Sequence, residues 1–288
     1  MQKEPENYDL EELTAYPSVD HEKLVGLCQK MLFWLSRLHM SLLIRSQIED
    51  QKEREQEYRV VGSLILMAMI AAKTILKSSS VLDLSIIQNI VTARSFFETC
   101  LNAAFIASDE SGLLARRSDL HAIQKLHRGN NREFTIGDFG FKITGSRHLQ
   151  VDKKTIEEAL NTFTRRNGKE ITSWCEESVD DRIAALAEVD RTSQLMFAGA
   201  RGQIYREASE IVHGTYYAYL FGSNGADSDG IVKNLENQSL IVFSTLLLCS
   251  AALAKVIEKK FGVKLGKILE SIADEMSEIE SIAEALKD

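Results

Sequence analysis

VVGSLILMAMIAAKTIL, residues 60–76, is the most apolar stretch of the sequence, and it decides the expected fold class. Its apolar residues lie nearly all round a helix of 3.6 residues per turn, which is typical of a helix in the centre of a bundle. The stretch contains Gly62, Ser63 and Lys73 and falls short of the roughly 20 residues that span a bilayer. It therefore predicts a buried core helix, from about Gln56 to Lys77, and no membrane span.

Apolar stripes at three- and four-residue spacing extend the helical pattern along most of the chain. The 288 residues include only two prolines, Pro5 and Pro17, so no proline interrupts a helix after residue 17. We expect a helical content of at least about 60%, well above the average of roughly one third. The predicted helices lie at about residues 18–48, 56–77, 85–108, 112–127, 151–166, 180–188, 192–220, 231–261 and 265–286.

One segment departs from the helical pattern. REFTIGDFGFKITGSR, residues 132–147, places aromatic and branched residues nearly alternately, with Gly137 and Gly140 between them. Alternation of this kind is typical of a strand pair, so we predict a small β-hairpin or irregular excursion at about 129–148. The fold class is then all-α: one multi-helix bundle domain over residues 17–288 that carries this excursion, after an acidic tail at residues 1–16.

Composition narrows the classes of function. A net charge of −8 argues against a protein that coats nucleic acid indiscriminately. The beginning of the sequence, MQKEPENYDLEEL, lacks the apolar core of a secretory signal, so we expect a cytoplasmic protein. Its four cysteines are far apart and form no C-x-x-C pair, which predicts reduced thiols, no metal site and no cofactor.

Positive charge is concentrated in one region. Residues 116–170 contain twelve Lys and Arg against seven Asp and Glu. A solvated helix surface is one explanation, and a docking face for a polyanion such as RNA is the other. The candidate RNA contacts are Arg116, Arg117, Lys125, Arg128 and Arg132.

The segment YREASEIVH, residues 205–213, concentrates polar chemistry on a predicted helix. Seven helical residues bring Arg206 and His213 to within about 20° of each other around the axis. Ser209 and Glu210 lie three and four residues after Arg206, on the same stripe. A charged Arg, a Glu, a Ser and a titratable His therefore project together.

A second helix offers partners for these groups. Arg94 and Glu98 are four residues apart and share a face among apolar neighbours. We therefore expect a polar cluster inside or at the edge of the bundle. It would be either an interhelical salt-bridge network that fixes helix register or a functional site. The expected cluster comprises Arg94, Glu98, Arg206, Glu210 and His213, with Tyr205 and Ser209 in support.

The stretches TARSFFETCLNAAFIA and YREASEIVHG, with Trp174 between them, resemble an uncharacterised bacterial all-helical family. That family pairs an R-S-x-x-E helix with a Y-x-x-x-S-x-x-x-H helix, and the resemblance covers roughly residues 55–220. The positions that carry it here are Arg94, Ser95, Glu98, Tyr205, Ser209 and His213.

The R-x6-H spacing also resembles the HEPN superfamily of helical bundles, in which an Arg/His pair cuts RNA without metal. The resemblance implies a homodimer with a composite site, Arg206 and His213 as catalytic pair and Glu210 as the residue that orients them. Glu207 departs from the commonest pattern, which has Asn, Asp or His after the arginine.

The expected function is therefore a HEPN-like metal-independent endoribonuclease, in a toxin or antiviral defence setting, with RNA and a cognate protein as partners. Histidine exchanges a proton near neutral pH, and arginine stabilises charge on a phosphate. Two alternatives stand beside this hypothesis. One is a non-catalytic helical scaffold or partner-binding protein. The other is a sensor of an anion or small ligand, which Arg206 and Arg94 would bind.

Overall fold

The computed structural model describes residues 19–48, 53–79, 82–129, 131–145, 151–214 and 228–263, together with residue 277. The acidic tail and, apart from residue 277, the predicted helix at 265–286 lie outside the described residues. Helix makes up 78% of the structure, which confirms the all-α bundle with a small hairpin. Its elements are α1 (Val19–Ser46), α2 (Glu55–Ser78), α3 (Ile86–Ser108), α4 (Leu113–Gly129), β1 (Asn131–Ile136), β2 (Phe139–Thr144), α5 (Lys153–Thr162), α6 (Val179–Ala185), a 3₁₀ turn (Leu186–Glu188), α7 (Arg191–Val212) and α8 (Ser228–Phe261).

Four helices form a closed ring around one apolar core. α1 packs against α2, α2 against α3, α3 against α8, and α8 against α1. α7 packs across α3 and α8, and the short α6 lies beside α3 and α7. α4 contacts α2, where Arg59 pairs with Asp119 at 2.9 Å, and α5 packs on α4. The side of the ring formed by α1 and α2 is thus the side that α7 does not cover.

α3 occupies the centre of the structure. Its aromatic residues Phe96 and Phe97 are fully buried, as are Cys100 and Leu101. The prediction that the 60–76 stretch is buried as a central helix is wrong in this respect, because α2 contacts the core along one side only. The opposite side of α2 leaves large apolar side chains exposed at Leu66, Met67 and Ile70.

By length and composition, two helices of the described chain are apolar enough to cross a membrane. In α8 the candidate stretch is residues 233–261, and 78% of its apolar window is buried in the bundle. In α2 only 39% of the window is buried. α8 is therefore a buried core helix, whereas α2 has an apolar surface that the described part of the chain does not cover.

Two predicted helices are shorter in the structure. α5 ends at Thr162 because the chain turns at Gly168, with φ +78°, and Thr164 pairs with Glu170 in an isolated bridge. α7 ends at Val212 and not near residue 220. Gly214 takes φ +61°, the left-handed conformation that commonly ends a helix, and its N–H donates to the carbonyl of Ile211 at 3.0 Å.

The excursion is an amphipathic two-stranded hairpin. β1 and β2 pair antiparallel, with Phe134 opposite Phe141 and Ile136 opposite Phe139. These four side chains lie on one face and are all exposed, and the rings of Phe134 and Phe141 stack at 5.2 Å. The other face is polar, and Glu133 and Lys142 form an ion pair across it at 2.8 Å.

The start of α7 is tied to the end of α8. Asp190 caps α7 by accepting hydrogen bonds from the backbone N–H and the hydroxyl of Ser193, both at 2.7 Å. Its other carboxylate oxygen accepts from Lys259 at 2.6 Å. Burial by itself would raise the pKa of Asp190, but the bonds from Lys259 and Ser193 outweigh it and leave the pKa below its ordinary value.

This cap predicts a pH-dependent part of the stability. Because the folded pKa of Asp190 is lowered, its contribution is present above the unfolded pKa of about 3.9 and is lost as pH falls through the folded pKa. Asp190→Asn keeps a residue that can cap the helix but removes the charge that pairs with Lys259, so it should cost up to about 1 kcal/mol at pH 7 and should flatten the loss of stability between about pH 5 and pH 2. Urea unfolding across this range measures both effects. Asp138→Asn, at the exposed hairpin tip, is the control, and equal acid profiles for the two variants would contradict the assignment.

Candidate functional site

α7 presents the predicted catalytic pair to solvent. Ile204 and Ala208 are buried against the bundle, whereas Arg206 and His213 are both exposed. His213 directly follows the last residue of α7 and caps the helix. Its backbone N–H still donates to the carbonyl of Ser209 at 3.0 Å. The pair therefore does not lie inside the bundle, the first of the two positions expected, and the Arg94 network described below does not include it.

Arg94 forms the centre of the polar cluster that the structure does contain. Its Nε donates to Glu98 Oε1 at 3.0 Å, and its Nη1 donates to the Ser209 hydroxyl at 2.6 Å. The guanidinium carbon lies 4.2 Å from the centre of the Tyr205 ring, within cation–π range. Ser209 in turn donates to the carbonyl of Tyr205 at 2.9 Å. Arg94 therefore joins α3 to α7 through two kinds of contact, and Glu98 of its own helix holds the guanidinium in place.

Two residues of this cluster were missed by the sequence reasoning. Arg201 lies 5.4 Å from the centre of the Tyr205 ring and donates to Asp180, at the start of α6, at 2.8 Å. The ring of Phe97 packs edge-on against Tyr205 at 6.4 Å. The spacing of Arg201 four residues before Tyr205 was the signal that could have found it, since such residues are neighbours on a helix.

The predicted cluster is thus divided. Arg94 and Glu98 meet Tyr205 and Ser209, as expected of an interhelical network. In the part of the chain that the structure describes, the side chains of Arg206 and His213 make no hydrogen bond, ion pair or ring contact. Glu210 is half-buried. The network therefore fixes α7 against α3 without using the Arg/His pair.

The basic residues of α4 are engaged inside the molecule. Arg116 pairs with Glu158 of α5 at 2.5 Å, and Lys125 pairs with Glu170 at 2.5 Å. Hydrogen bonds from Lys125 and then from Gln124 hold the pKa of Glu170 below its ordinary value. These ion pairs attach α5 and the following segment to α4, so a structural role accounts for both cations.

The remaining candidate RNA contacts follow the same pattern. Arg117 donates to the carbonyl of Trp174 at 2.8 Å, and Arg128 donates to the Thr164 hydroxyl at 2.7 Å. Arg132 lies in β1, opposite Ile143. Four of the five candidate RNA contacts therefore have partners within the molecule, namely Arg116, Arg117, Lys125 and Arg128.

A polar cleft of about 470 Å³ lies where α2, α8 and the start of α7 come close. Its cations are paired: Lys260 with Glu110 at 2.8 Å, Lys259 with Asp190, and Arg54 with Glu57 at 2.6 Å. Arg94 is likewise bonded to Glu98 and Ser209. Neither the polar cleft nor the Arg94 network therefore has a cation, among those named, that is free to bind an anionic ligand. Among the described residues, no group of three or more His, Cys, Asp and Glu could hold a metal ion.

Most of the large apolar side chains that are exposed on helices lie on or next to α1 and α2. Along these two helices seven large apolar side chains are between 42% and 58% exposed. We call this set the α1–α2 face. It comprises Phe33, Met40 and Ile44 on α1, Ile48 just after the end of α1, and Leu66, Met67 and Ile70 on α2.

The two helices that carry the α1–α2 face lie against each other. His39 shares a hydrogen bond with the carbonyl of Gly62 at 2.8 Å, which fixes the level at which the antiparallel helices meet. A Cβ at Gly62 would lie only 3.7 Å from Leu42 Cβ, so the helices approach closely there. Counting along both helices from this contact brings Phe33 to about the level of Ile70. Helix geometry turns Phe33, Met40 and Ile44 to the side of α1 opposite this contact, so the exposed apolar residues form two sets, one on each helix.

No family model matches the chain, and no match was found among curated proteins or solved structures. The two resemblances noted in the sequence therefore stay predictions.

The network makes different predictions for two arginines on facing helices. Arg94→Ala removes hydrogen bonds from a charged group and the contact with Tyr205, and should lower the free energy of unfolding by about 1–3 kcal/mol. Arg206→Ala removes an exposed side chain and should change it by less than about 0.5 kcal/mol. Urea denaturation of both variants measures the difference. Equal losses would mean that Arg206 takes part in the network after all.

Proposed function

We propose that the protein is a non-catalytic helical scaffold that binds a protein partner through the α1–α2 face. The observation that carries this proposal is the exposure of seven large apolar side chains on two adjacent helices. Fully burying such a side chain stabilises by about 1.5–3 kcal/mol, so covering the exposed halves of seven would contribute about 5–10 kcal/mol before association costs. Single exposed apolar residues are ordinary, whereas seven of them on two neighbouring helices favour an interaction site.

The distribution of exposed residues supports the proposal. Leu195 and Val212 on α7 are as exposed as the members of the α1–α2 face, but they are seventeen positions apart. Scattered apolar residues are ordinary on protein surfaces, whereas a set that recurs along one side of a helix, such as Phe33, Met40 and Ile44, is typical of an interface. In this proposal the Arg94 network is structural and holds α7 in register. We place the protein in the cytoplasm, where its four free, buried cysteines would stay reduced.

Charge inside the α1–α2 face should abolish partner binding without unfolding the bundle. The double variant Met67→Glu with Ile70→Glu places two carboxylates where an apolar partner surface would lie, and burying them unpaired is costly. Because both side chains are exposed, the melting temperature should stay within a few degrees of the wild type.

The measurement is quantitative affinity capture from a lysate of the source cells, comparing the wild type with this variant. Leu195→Glu, equally exposed on α7, is the matched control and should retain the captured partner. A partner retained by the double variant, or lost equally from the control, would contradict the proposal.

A second candidate function, metal-independent RNA cleavage by a homodimer, is favoured by one observation. Arg206 and His213 are exposed on the same helix, and their side chains have no contact in the described part of the chain. His213 would take the proton from the RNA 2′-hydroxyl, and Arg206 would stabilise the negative charge that builds up on the phosphate. A second protomer would bring the two pairs into one site.

This candidate predicts loss of activity without loss of stability. His213→Ala and Arg206→Ala should each lower RNA cleavage by roughly 10²–10⁴-fold, because each removes a group that acts in the transition state. Cleavage should persist in excess EDTA and give 2′,3′-cyclic phosphate ends, read by electrophoresis and mass spectrometry. Arg191→Ala, an exposed arginine at the start of the same helix, is the control. If the wild-type protein is a dimer and does not cleave RNA, this candidate function is contradicted.

A further inference from the structure

We infer that residues 170–175 form an acid-sensitive contact with α4, in which His121 is the group that titrates. The inference does not depend on the proposed docking function. It depends on the bonds that hold this segment, on the charges around His121 and on the place of the segment between two apolar clusters.

The segment lies along α4 and is bonded to it at three successive turns. Arg117, His121 and Lys125 are four residues apart, so they are neighbours on one side of the helix. The bonds run from Arg117 Nε to the carbonyl of Trp174 at 2.8 Å, from His121 Nε2 to the carbonyl of Thr172 at 3.1 Å, and from Lys125 Nζ to Glu170 at 2.5 Å. His121 therefore occupies the middle of the contact, and the segment runs antiparallel to α4.

The uncharged form of His121 is the one that suits this position. A carbonyl only accepts hydrogen bonds, so Nε2 carries the proton that bonds Thr172, and Nδ1 is the nitrogen that titrates. The ring is half-buried and packs edge-on against Phe163, with 5.0 Å between the ring centres. This burial lowers the pKa of His121 below its ordinary value of about 6.5, and the bond to Thr172 only partly opposes it.

The charges around the ring are mainly positive. Lys125 and Arg117, one turn away on either side, also disfavour the charged ring. Glu170 favours it, but this carboxylate is already bonded to Lys125. Glu176, the next acidic residue along the chain, pairs with Arg117 at 3.6 Å and is exposed. Protonation of His121 therefore places three adjacent cations on one side of α4.

The contact weakens as pH falls. Because the folded pKa of His121 is lowered, its contribution is present in full above the unfolded pKa of about 6.5 and is lost as pH falls through the folded pKa. Glu170 keeps its charge over this range, since hydrogen bonds from Lys125 and Gln124 hold its pKa below the ordinary value. A loss of contact in mildly acidic solution is therefore assigned to His121.

The segment links two apolar clusters. Phe163 and Ile171 belong to the small cluster that α4 and α5 share. Trp174 packs against Phe105 of α3, with 6.3 Å between the ring centres, and Cys175 is buried. Residues 171–177 form no helix or strand, so contacts with their side chains and carbonyls hold them in place. Release from α4 would expose Trp174 and Cys175 while the main bundle stays folded.

Thiol labelling of Cys175 measures this opening on the full-length protein. Methyl methanethiosulfonate is added at about pH 7.5 and about pH 5.5, and mass spectrometry locates the labelled cysteine. The rate for the wild type is divided by the rate for His121→Gln at the same pH, which cancels the intrinsic reactivity of the thiol. The glutamine can still donate to the carbonyl of Thr172 but cannot take up a proton. The ratio should rise at least about threefold from the higher pH to the lower, because protonation favours the open segment.

His127→Gln changes an exposed histidine of the same helix and is the matched control, which should follow the wild type. A ratio that stays constant with pH overturns the inference. So does labelling of Cys100, buried in α3, in step with Cys175, because that pattern shows global unfolding.

An NMR titration of the wild type decides the question if His121→Gln does not fold. His121 should titrate below about pH 6.5, and the indole signal of Trp174 should shift with the same midpoint. Different midpoints for the two signals, or no shift of the Trp174 signal, overturn the inference as well.

Discussion

The burial of α3 is the constraint on which the rest of the structure depends. Its twenty-three residues include only two charged ones, Arg94 and Glu98, and its apolar side chains point in nearly every direction. Such a helix is stable in water only when other helices surround it, and α2, α7 and α8 supply that cover. Arg94 lies at the margin of this buried region, where α7 crosses. Its ion pair with Glu98 and its contacts with α7 are therefore only partly exposed to solvent.

Most of the helices could be predicted from the sequence, because apolar periodicity and the absence of proline act locally. The identity of the central helix could not. Residues 60–76 and α3 are similarly apolar, and periodicity does not distinguish a helix covered by its own chain from one covered by another molecule. α2 is apolar on both sides, but only one side faces the core. The other side is exposed at Leu66, Met67 and Ile70.

The spacing of Arg206 and His213 predicts that the two lie on a shared side, but spacing cannot say which side of α7 faces the bundle. That choice follows from Ile204 and Ala208, which are buried, and from Ser209, which points to Arg94. Neighbouring helical residues differ by about 100° around the axis, so once Tyr205 faces Arg94, Arg206 must turn outward.

The order in which the ring closes has a consequence for synthesis of the chain. α1, α2 and α3 are adjacent in sequence, whereas α8, which completes the core, ends 153 residues after α3 does. At about 5–20 residues per second, a ribosome needs roughly 8–30 s to bridge that gap. During this interval the side of α3 that will face α8 has no native cover. The nascent chain therefore depends on transient protection, by a chaperone or by non-native contacts, until Arg45 can bind the carbonyl of Phe261 at the end of α8.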